Sequence, residues 1–539
     1  MKRLLLCISS AALLYSASAQ RYIPADPFDL MFYEKSYFHN GEDNGSLILR
    51  PYFKKYHNRG NNWNVTLRSE FFNNTGAPNL ENTSDRWIGK GESFFSSLNV
   101  SYSGKYILFS VEPFNFRNQN EDYTVPLRLE RYSKLNDNQP HGEATYKVSG
   151  LRETQFYLHY NGIGFGISNA SMWWGPGIHS TLNMTNNTRG FKHLMIGTLR
   201  EQRIRNVGLD VRYIFSEMDS LNAAEPYYTA FVFAATIHSD PVVTVGLSRT
   251  YLSGGNFAGK DTLSRKEAML IPFKDPPFLK QKQTDPDDPE SAVDIWDQTM
   301  SGYLCASFPE SGLKLFLEYG RDDHAWGGAD LRRQPDHTVA SVIGLRKYGI
   351  FGNRNLTFGF EYANLIQTRY GIGGITGRKR LAGNWYEKWP YDYSSYDGRH
   401  WGAHSGPDSD DFTIYLGYIG DRFSIVPTFN YERHGVINND ALVWVLRPYI
   451  LKNPETGEVS VAVREELREM HVNIYPEVKF EFRLDIRFAF EHLRFNLYYE
   501  REFVDNLEYR NQRRSGNVLW LGVEKVFENL RLPRLLDIF

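Results

Sequence analysis

Residues 478–484 read VKFEFRL, so apolar and charged side chains alternate along this stretch. The same alternation occurs in 356–362 (LTFGFEY). Because successive side chains of a strand point to opposite faces, the pattern predicts strands with one apolar and one polar face. Runs such as 107–116 and 488–499 approach the roughly 9 to 11 residues that a tilted strand needs to cross a bilayer. Soluble sandwiches usually have strands of about 5 to 6 residues, so the pattern favours a transmembrane barrel.

The spacing of the predicted strands supports a barrel. Short turns are predicted at 103–104, 161–162, 205–206, 239–241, 309–312, 348–354, 420–421 and 483–486. Long gaps fall at 74–92, 117–151, 172–190, 216–227, 253–300, 321–337, 367–410, 435–470 and 502–515. The two kinds alternate, as short periplasmic turns and long external loops do in outer-membrane barrels. We therefore predict an all-β fold, an antiparallel transmembrane barrel of about 18 strands.

The N-terminus has the features of an export signal. Lys2 and Arg3 precede an apolar run at 4–14, and small residues at 17–19 suit a cleavage site, so residues 1–19 are predicted to be a secretory signal peptide. Residues 20–61 are interpreted as a periplasmic or plug segment, in which 46–56 also resembles a strand, and 62–539 as the barrel. Cys305 is then the only mature cysteine, which excludes a disulfide within the chain.

Composition excludes several classes of protein. The 539 residues contain 61 Lys+Arg and 63 Asp+Glu, with a net charge of -2 and interspersed signs, whereas a nucleic-acid binder would show a clustered basic surface. After the signal, no run of about 18 apolar residues predicts a membrane-spanning helix. A mean hydropathy of -0.48 still permits a barrel, because only one face of each strand meets lipid. We predict outer-membrane lipid as a partner and a monomeric state.

A tryptophan-rich motif lies in one long gap. Residues 171–177 read SMWWGPG, and 180–191 read STLNMTNNTRGF. Gly-Pro-Gly after Trp173 and Trp174 predicts a tight turn beside two large rings, while Asn186 and Asn187 offer hydrogen-bond donors and acceptors. The segment resembles the Wzi family of outer-membrane capsule-assembly proteins, whose hallmark is a W-G-P-G turn followed by a serine, an apolar stretch and paired asparagines. Further segments similar to the family are 240–249, 315–323, 360–363 and 402–408.

The resemblance implies an 18-stranded outer-membrane barrel that acts as a lectin and holds capsular or related polysaccharide without catalysis. One departure concerns the N-terminus, since family members can carry a helical bundle there, whereas 25–45 offers at most one short helix. An alternative interpretation of the W-G-P-G segment is a fold-defining turn that packs its loop into the barrel mouth.

The gap from 368 to 411 is rich in aromatic residues. Aromatic faces can pack on the C–H faces of sugars, and nearby arginines can attract an acidic polymer. With the motif above, the predicted polysaccharide-binding residues are Trp173, Trp174, Asn186, Asn187, Arg378, Trp385, Trp389, Tyr391, Tyr393, Tyr396, Arg399 and Trp401. The alternative is that these rings form the loop's own small core, folded inward over the lumen.

No motif predicts catalysis or a cofactor. We find no G-x-S-x-G sequence for a nucleophilic serine. His400, His404 and Asp408 are four residues apart, but without a helix that spacing does not bring ligands together, so we predict no zinc site among them. The sequence thus predicts a non-enzymatic polysaccharide-binding protein, and the alternative function is a porin-like channel for solutes.

Overall fold

The computed structural model describes most of the chain. The described residues are 22–23, 25–41, 45–53, 63–126, 135–138, 144–218, 225–255, 263–274, 296–322, 338–366, 385–386, 395–436, 441–452, 459–470, 475–490, 492–508 and 510–530. Within these ranges, no helix has both the length and the apolar character needed to cross a membrane.

Eighteen antiparallel strands form a closed barrel, which confirms the predicted fold. Strand β6 is interrupted once, and both of its parts pair with β7. The last strand pairs with the first, so no edge is left open. The strands are β1 Trp63–Asn74, β2 Gly91–Ser103, β3 Ile107–Asn118, β4 Tyr146–Tyr160, β5 Ile163–Ser168, β6 His193–Thr198 with Gln202–Ile204, β7 Val207–Glu217, β8 Tyr227–Ile237, β9 Val242–Ser253, β10 Trp296–Phe308, β11 Leu313–Asp322, β12 Val339–Ile350, β13 Asn353–Asn364, β14 Ser409–Ile419, β15 Phe423–His434, β16 Glu477–Phe490, β17 Leu493–Leu507 and β18 Gln512–Leu530.

The alternation in sequence becomes the two faces of the barrel wall. In β16, Lys479 and Glu481 are buried, whereas Phe482 is 53% exposed. Exposed apolar side chains recur on strands around the barrel, including Leu67, Phe94, Leu98, Phe156, Phe165, Ile196, Val245, Leu304, Leu317, Ile343, Leu416, Phe495 and Leu521. An apolar outer face and a polar interior are what a bilayer and an internal lumen require.

The final turns differ from the prediction. Strand β16 continues through 483–486 to Phe490, and β17 begins at Leu493. The predicted long gap at 502–515 is also wrong, because β17 runs to Leu507 and β18 begins at Gln512. The polar side chains at 483 and 485 continue the inward-facing series of the strand: Arg483 pairs with Glu81, and Asp485 lines the lumen. The predicted turn at 483–486 is therefore wrong, because lumen-facing charges within a strand resemble the polar residues of a turn. The other seven short turns overlap their predicted positions.

The described part of the N-terminal segment contains one helix, α1, at Pro27–Asn40. Asp26 caps it by accepting a hydrogen bond from the Asp29 N–H at 2.9 Å, and Pro27 stands in the first turn, where its missing N–H costs nothing. Gly41 ends the helix in the left-handed conformation. The predicted strand at 46–56 forms two short pieces, Leu49–Arg50 and Tyr52–Phe53, which pair outside the barrel sheet. A second helix, α2, spans Arg265–Lys274.

Helix α1 lies in the end of the lumen where the short turns are. The carboxylate of Glu34 accepts hydrogen bonds from Lys314 Nζ at 2.6 Å, Arg346 Nε at 2.7 Å and the Tyr348 hydroxyl at 2.8 Å. Burial acts to raise the pKa of Glu34, but the charges of Arg346 and Lys314 outweigh it and hold that pKa well below its usual range. The helix is therefore anchored to the inner wall by a buried ionic cluster. The boundaries at 19 and 61 stay predictions.

Candidate functional site

The W-G-P-G segment lies inside the barrel. Trp173–Trp174 form a two-residue strand that pairs with Leu49–Arg50 of the N-terminal segment. Both tryptophans are fully buried, and the guanidinium of Arg50 lies 4.9 Å from the centre of the Trp173 ring. The motif therefore packs its loop into the lumen, in agreement with the alternative interpretation of a fold-defining turn. A role in direct sugar contact stays a prediction.

The glycines of this turn are required by close approach. A Cβ on Gly177 would lie 2.0 Å from the main-chain oxygen of Ser180, which is far inside van der Waals contact. Gly175 has a φ of +145°, a conformation that residues with a Cβ rarely adopt. The turn that follows the tryptophans can thus be made only by this residue type at both positions.

Two carboxylates of the barrel wall hold the same loop. Glu318 on β11 accepts a hydrogen bond from the Leu182 N–H at 3.1 Å. Glu361 on β13 accepts three from consecutive main-chain N–H groups, those of Ile178 at 2.9 Å, His179 at 3.2 Å and Ser180 at 2.5 Å. Both glutamates lie in the segments 315–323 and 360–363, which resemble the family. A buried carboxylate with several N–H donors satisfies main-chain groups that would otherwise be unpaired in the lumen.

Asn187 is the point where several inward-folded segments meet. Its side-chain amide donates to the main-chain oxygen of His400 at 3.0 Å. Its side-chain oxygen accepts from the Asn136 amide at 2.9 Å and the Asn82 N–H at 3.4 Å. Asn187 is fully buried, so its predicted donors and acceptors serve the protein itself. Neighbouring Asn186 is also buried, and its main-chain oxygen accepts from the Ser84 N–H at 2.8 Å.

Arg399 connects the same segments. One guanidinium nitrogen donates to the main-chain oxygen of Asn187 at 2.9 Å and to Thr83 Oγ1 at 3.1 Å. The other donates to the main-chain oxygen of Arg86 at 2.7 Å. The guanidinium also lies 5.2 Å from the centre of the Trp87 ring. The planar fork of arginine thus joins three loops, which a lysine could not do.

The described aromatic residues of the predicted binding loop are buried as well. Trp401 lies 5.0 Å from Tyr228 on the barrel wall, ring centre to ring centre, and its main-chain oxygen accepts from the Thr185 N–H. The Tyr386 hydroxyl donates to the main-chain oxygen of Leu182 at 2.5 Å. Burial places Trp385, Tyr396 and Trp401 in one hydrophobic cluster with Trp174.

The structure thus buries all eight of the described candidates inside the barrel. Those found buried are Trp173, Trp174, Asn186, Asn187, Trp385, Tyr396, Arg399 and Trp401. The remaining four, Arg378, Trp389, Tyr391 and Tyr393, lie outside the described residues. The burial agrees with the alternative that these rings fold inward, and their role in binding stays a prediction.

A partly exposed group lies at the long-loop rim of the barrel. Arg189 has a side chain that is 39% exposed and lies 3.3 Å from the Asp397 carboxylate. Its guanidinium lies over the Tyr396 ring at 5.1 Å. Lys192 is exposed nearby in sequence. This rim therefore carries charges of both signs beside the buried ring of Tyr396.

A cavity of ≈ 380 Å³ occupies part of the lumen. It extends to the short-turn end, where Asp421 and Arg422 line it, and its wall carries many charged side chains. Glu112, for example, accepts from Arg68 at 2.8 Å and Arg152 at 2.7 Å. These charged residues were not predicted as a group, although charges at every second position of a strand mark the lumen face.

Among the described residues, three groups of side chains in the interior could hold a metal ion. In each, ligand atoms lie within 4.8 Å of one another: His179, His404 and Asp411; Glu81, His404 and Glu432; and Glu81, Glu481 and Glu500. The second and third groups are occupied by cations of the protein, because Lys479 lies 2.6 Å from Glu81 and 2.5 Å from Glu432, while Arg483 pairs with Glu81 and Glu481.

A closed strand barrel with an apolar outer face, whose lumen holds an N-terminal helix and inward-folded loops, defines an outer-membrane β-barrel protein. The chain belongs to the Wzi family, since the family's sequence model, described as capsule assembly protein Wzi, matches residues 73–518.

The fold is similar to that of a solved outer-membrane barrel. Wzi of Escherichia coli, described as an outer membrane protein involved in group 1 capsule assembly and as a carbohydrate-binding β-barrel, aligns with a TM-score of 0.56 at 12% identity, covering 94% of this chain and 100% of that chain. Pseudomonas aeruginosa OprD and OpdQ align with TM-scores of 0.38 and 0.39 at 9% and 10% identity, covering 89% and 86% of this chain and 97% of each of theirs. None of the curated proteins matches the chain.

Proposed function

We propose that this protein binds and anchors capsular or related polysaccharide at the outer face of the membrane, without catalysis, and so assists capsule assembly. Membership of the Wzi family supports the proposal, as does the description of Escherichia coli Wzi as carbohydrate-binding. The observation that carries it is the occupied lumen: Asn187 and Arg399 join inward-folded loops by buried hydrogen bonds. Such packing favours a function at the outer surface over transport through the barrel.

We assign two roles to the predicted binding residues. The buried ones, such as Trp174, Asn187 and Trp401, hold the loops in place. Polymer contacts belong to Arg378, Trp389, Tyr391 and Tyr393, together with the rim at Arg189. Tyrosine and tryptophan rings suit the alternating apolar and hydroxyl faces of sugars, and arginine suits acidic groups. A repeating polymer can engage many protein copies at once, so modest affinity at each site is enough for firm attachment.

The test compares cell-bound with shed polysaccharide in cells that lack the gene and in cells that carry it back on a plasmid. We expect the deletion to move polymer into the medium at unchanged total synthesis, and the plasmid to restore binding. An unchanged partition between cells and medium contradicts the proposal.

Conductance separates the proposal from the porin-like alternative. The purified wild-type protein in a planar bilayer should show no steady ion current, because the loops and helix α1 occupy the lumen. Steady single-channel steps at neutral pH, combined with an unchanged polymer partition, would favour a channel.

A further inference from the structure

Three ligand atoms from distant parts of the chain converge between the inward-folded loops and the barrel wall. His179 belongs to the loop after the W-G-P-G motif, His404 to the loop before β14, and Asp411 to β14 itself. Asp411 Oδ2 lies 2.9 Å from His179 Nε2 and 3.2 Å from His404 Nε2. The two imidazole rings are 4.5 Å apart, centre to centre.

These atoms are buried and poorly satisfied. His404 is 3% exposed and Asp411 1%. Neither ring nitrogen of His404, nor Asp411 Oδ2, makes a hydrogen bond of ordinary geometry with any described group. Leaving a buried polar group without a partner costs about 1–3 kcal/mol, and more when the group is charged. A cation bound between the three side chains would remove that cost for His404 and Asp411.

The other side of Asp411 is already fixed. Its Oδ1 accepts a hydrogen bond from the Asn430 amide, which also donates to Thr413 Oγ1 at 2.9 Å and lies 3.1 Å from His179 Nε2. Carboxylates that bind metals are commonly held in this way by a hydrogen bond to the oxygen that does not face the ion. The arrangement leaves Oδ2 directed at the two histidines.

Neighbouring charges distinguish this triad from the adjacent acidic clusters. Lys479 and Arg483 occupy the ligand atoms of Glu81, and Lys479 also occupies Glu432. In the described part of the chain, no lysine or arginine forms an ion pair with Asp411. An incoming cation would therefore meet a carboxylate that is not already paired with a lysine or arginine.

We propose that His179, His404 and Asp411 bind a divalent transition-metal ion of the Zn²⁺ class. Two imidazole nitrogens and one carboxylate oxygen form a ligand set that zinc accepts, with a fourth position for water. Ligands at about 2.0–2.1 Å in a tetrahedron are about 3.3 Å from one another, close to the two separations from Asp411. An ion here would join two loops to the wall and stabilise the closed lumen.

Two cavities border the site. His179 lines the large cavity that reaches the short-turn end of the barrel. His404 lines a smaller pocket, together with Glu432 and His434. An ion in either cavity would therefore meet one of the two histidines.

The competing interpretation is an ion pair without metal. Burial acts to lower the pKa of His179, but the Asp411 carboxylate raises it above the usual value overall. A protonated His179 would then hold the two loops by itself. The two interpretations differ in metal content and in the effect of added metal.

The experiment uses the full chain purified in detergent, stripped with a chelator and dialysed. Zn²⁺ uptake is measured by elemental analysis and titration calorimetry, and Co²⁺ absorption reports the coordination geometry. We expect one Zn²⁺ per chain, a tetrahedral Co²⁺ spectrum and a higher melting temperature with metal. His404→Gln and Asp411→Asn should weaken binding by about 100-fold or more, and Asn430→Ala by about 10- to 100-fold.

His159→Gln is the matched control, because His159 is a buried histidine on β4 outside the three groups. It should bind Zn²⁺ as the wild type does. Absence of Zn²⁺ uptake by folded wild type overturns the proposal, as does equal uptake by Asp411→Asn or an octahedral Co²⁺ spectrum. The readouts are independent of polysaccharide, so failure here leaves the proposed function untouched.

Discussion

The guanidinium of Arg399 donates a hydrogen bond to the main-chain oxygen of Asn187 at 2.9 Å, across a separation of 212 residues in the chain. Both residues are predicted candidates for polysaccharide contact, and that role stays a prediction. Their contact with each other, inside the lumen, joins two of the inward-folded loops. Loops that bind polymer at the surface would then depend on this buried framework.

Replacement of Arg399 by lysine tests that framework. Lysine keeps the charge but cannot reach the acceptors on Asn187, Arg86 and Thr83 together, so we expect a loss of about 2 kcal/mol in stability. Melting in detergent and protease cleavage of loops on intact cells measure the effect. Arg189→Lys at the exposed rim is the control and should melt as the wild type does. Equal melting and cleavage of Arg399→Lys and wild type would show that the network is dispensable.

Gly177→Ala should disrupt the W-G-P-G loop. The added Cβ meets the Ser180 oxygen at 2.0 Å, and both atoms belong to a turn held by Glu361, so main chain has to move. We expect a lower yield of the heat-modifiable barrel or new protease sites near the loop. Gly150→Ala is the matched control, because the added Cβ would contact only a Phe114 ring atom, at 3.7 Å. Identical behaviour of the two variants would contradict the steric argument.

Glu34→Gln should loosen helix α1. The change leaves Arg346 and Lys314 buried beside a neutral group, at a cost of about 3 kcal/mol. The lowered pKa of Glu34 also sets a pH dependence: its stabilisation is present above the ordinary value of 4.5 and is lost as the pH falls below it. Melting at a series of pH values should show wild type approaching the variant in acid.

The exposed Asn40 at the end of the same helix provides the control for Glu34. Asn40→Ala should change stability by no more than about 0.5 kcal/mol and keep the wild-type pH dependence. If the melting temperature of Glu34→Gln falls in acid as much as that of the wild type, the pH dependence arises from groups other than Glu34.

Substitution of two tryptophans in one loop should distinguish a residue that holds the loops in place from a residue that contacts the polymer. Trp401 is buried against the barrel wall, so Trp401→Ala should cost about 3–5 kcal/mol and release polysaccharide through disorder of the loops. Trp389 is a predicted contact, so Trp389→Ala should release polysaccharide with unchanged melting. If Trp389→Ala retains the polymer fully, the loop is not part of the binding surface.

The barrel could be predicted from the sequence because period-2 alternation is a local property. The strands and gaps laid out from this alternation predicted the strand number and seven of the eight short turns. The prediction was wrong at 483–486, where lumen-facing charges resemble a turn. A lumen full of ion pairs makes polar strand residues common, so polarity alone does not mark a strand end.

The sequence by itself thus determined the barrel, the two faces of its wall and the family, since these depend on residue order and on a local motif. Tertiary structure alone decided that Trp174, Asn187 and Arg399 are buried. It also decided that the Glu361 carboxylate accepts a hydrogen bond from the His179 N–H. A ring in a long gap suits a sugar or a core equally well, and only the direction in which the loop folds distinguishes the two. That direction depends on hydrogen bonds between residues far apart in the chain, which no local pattern records.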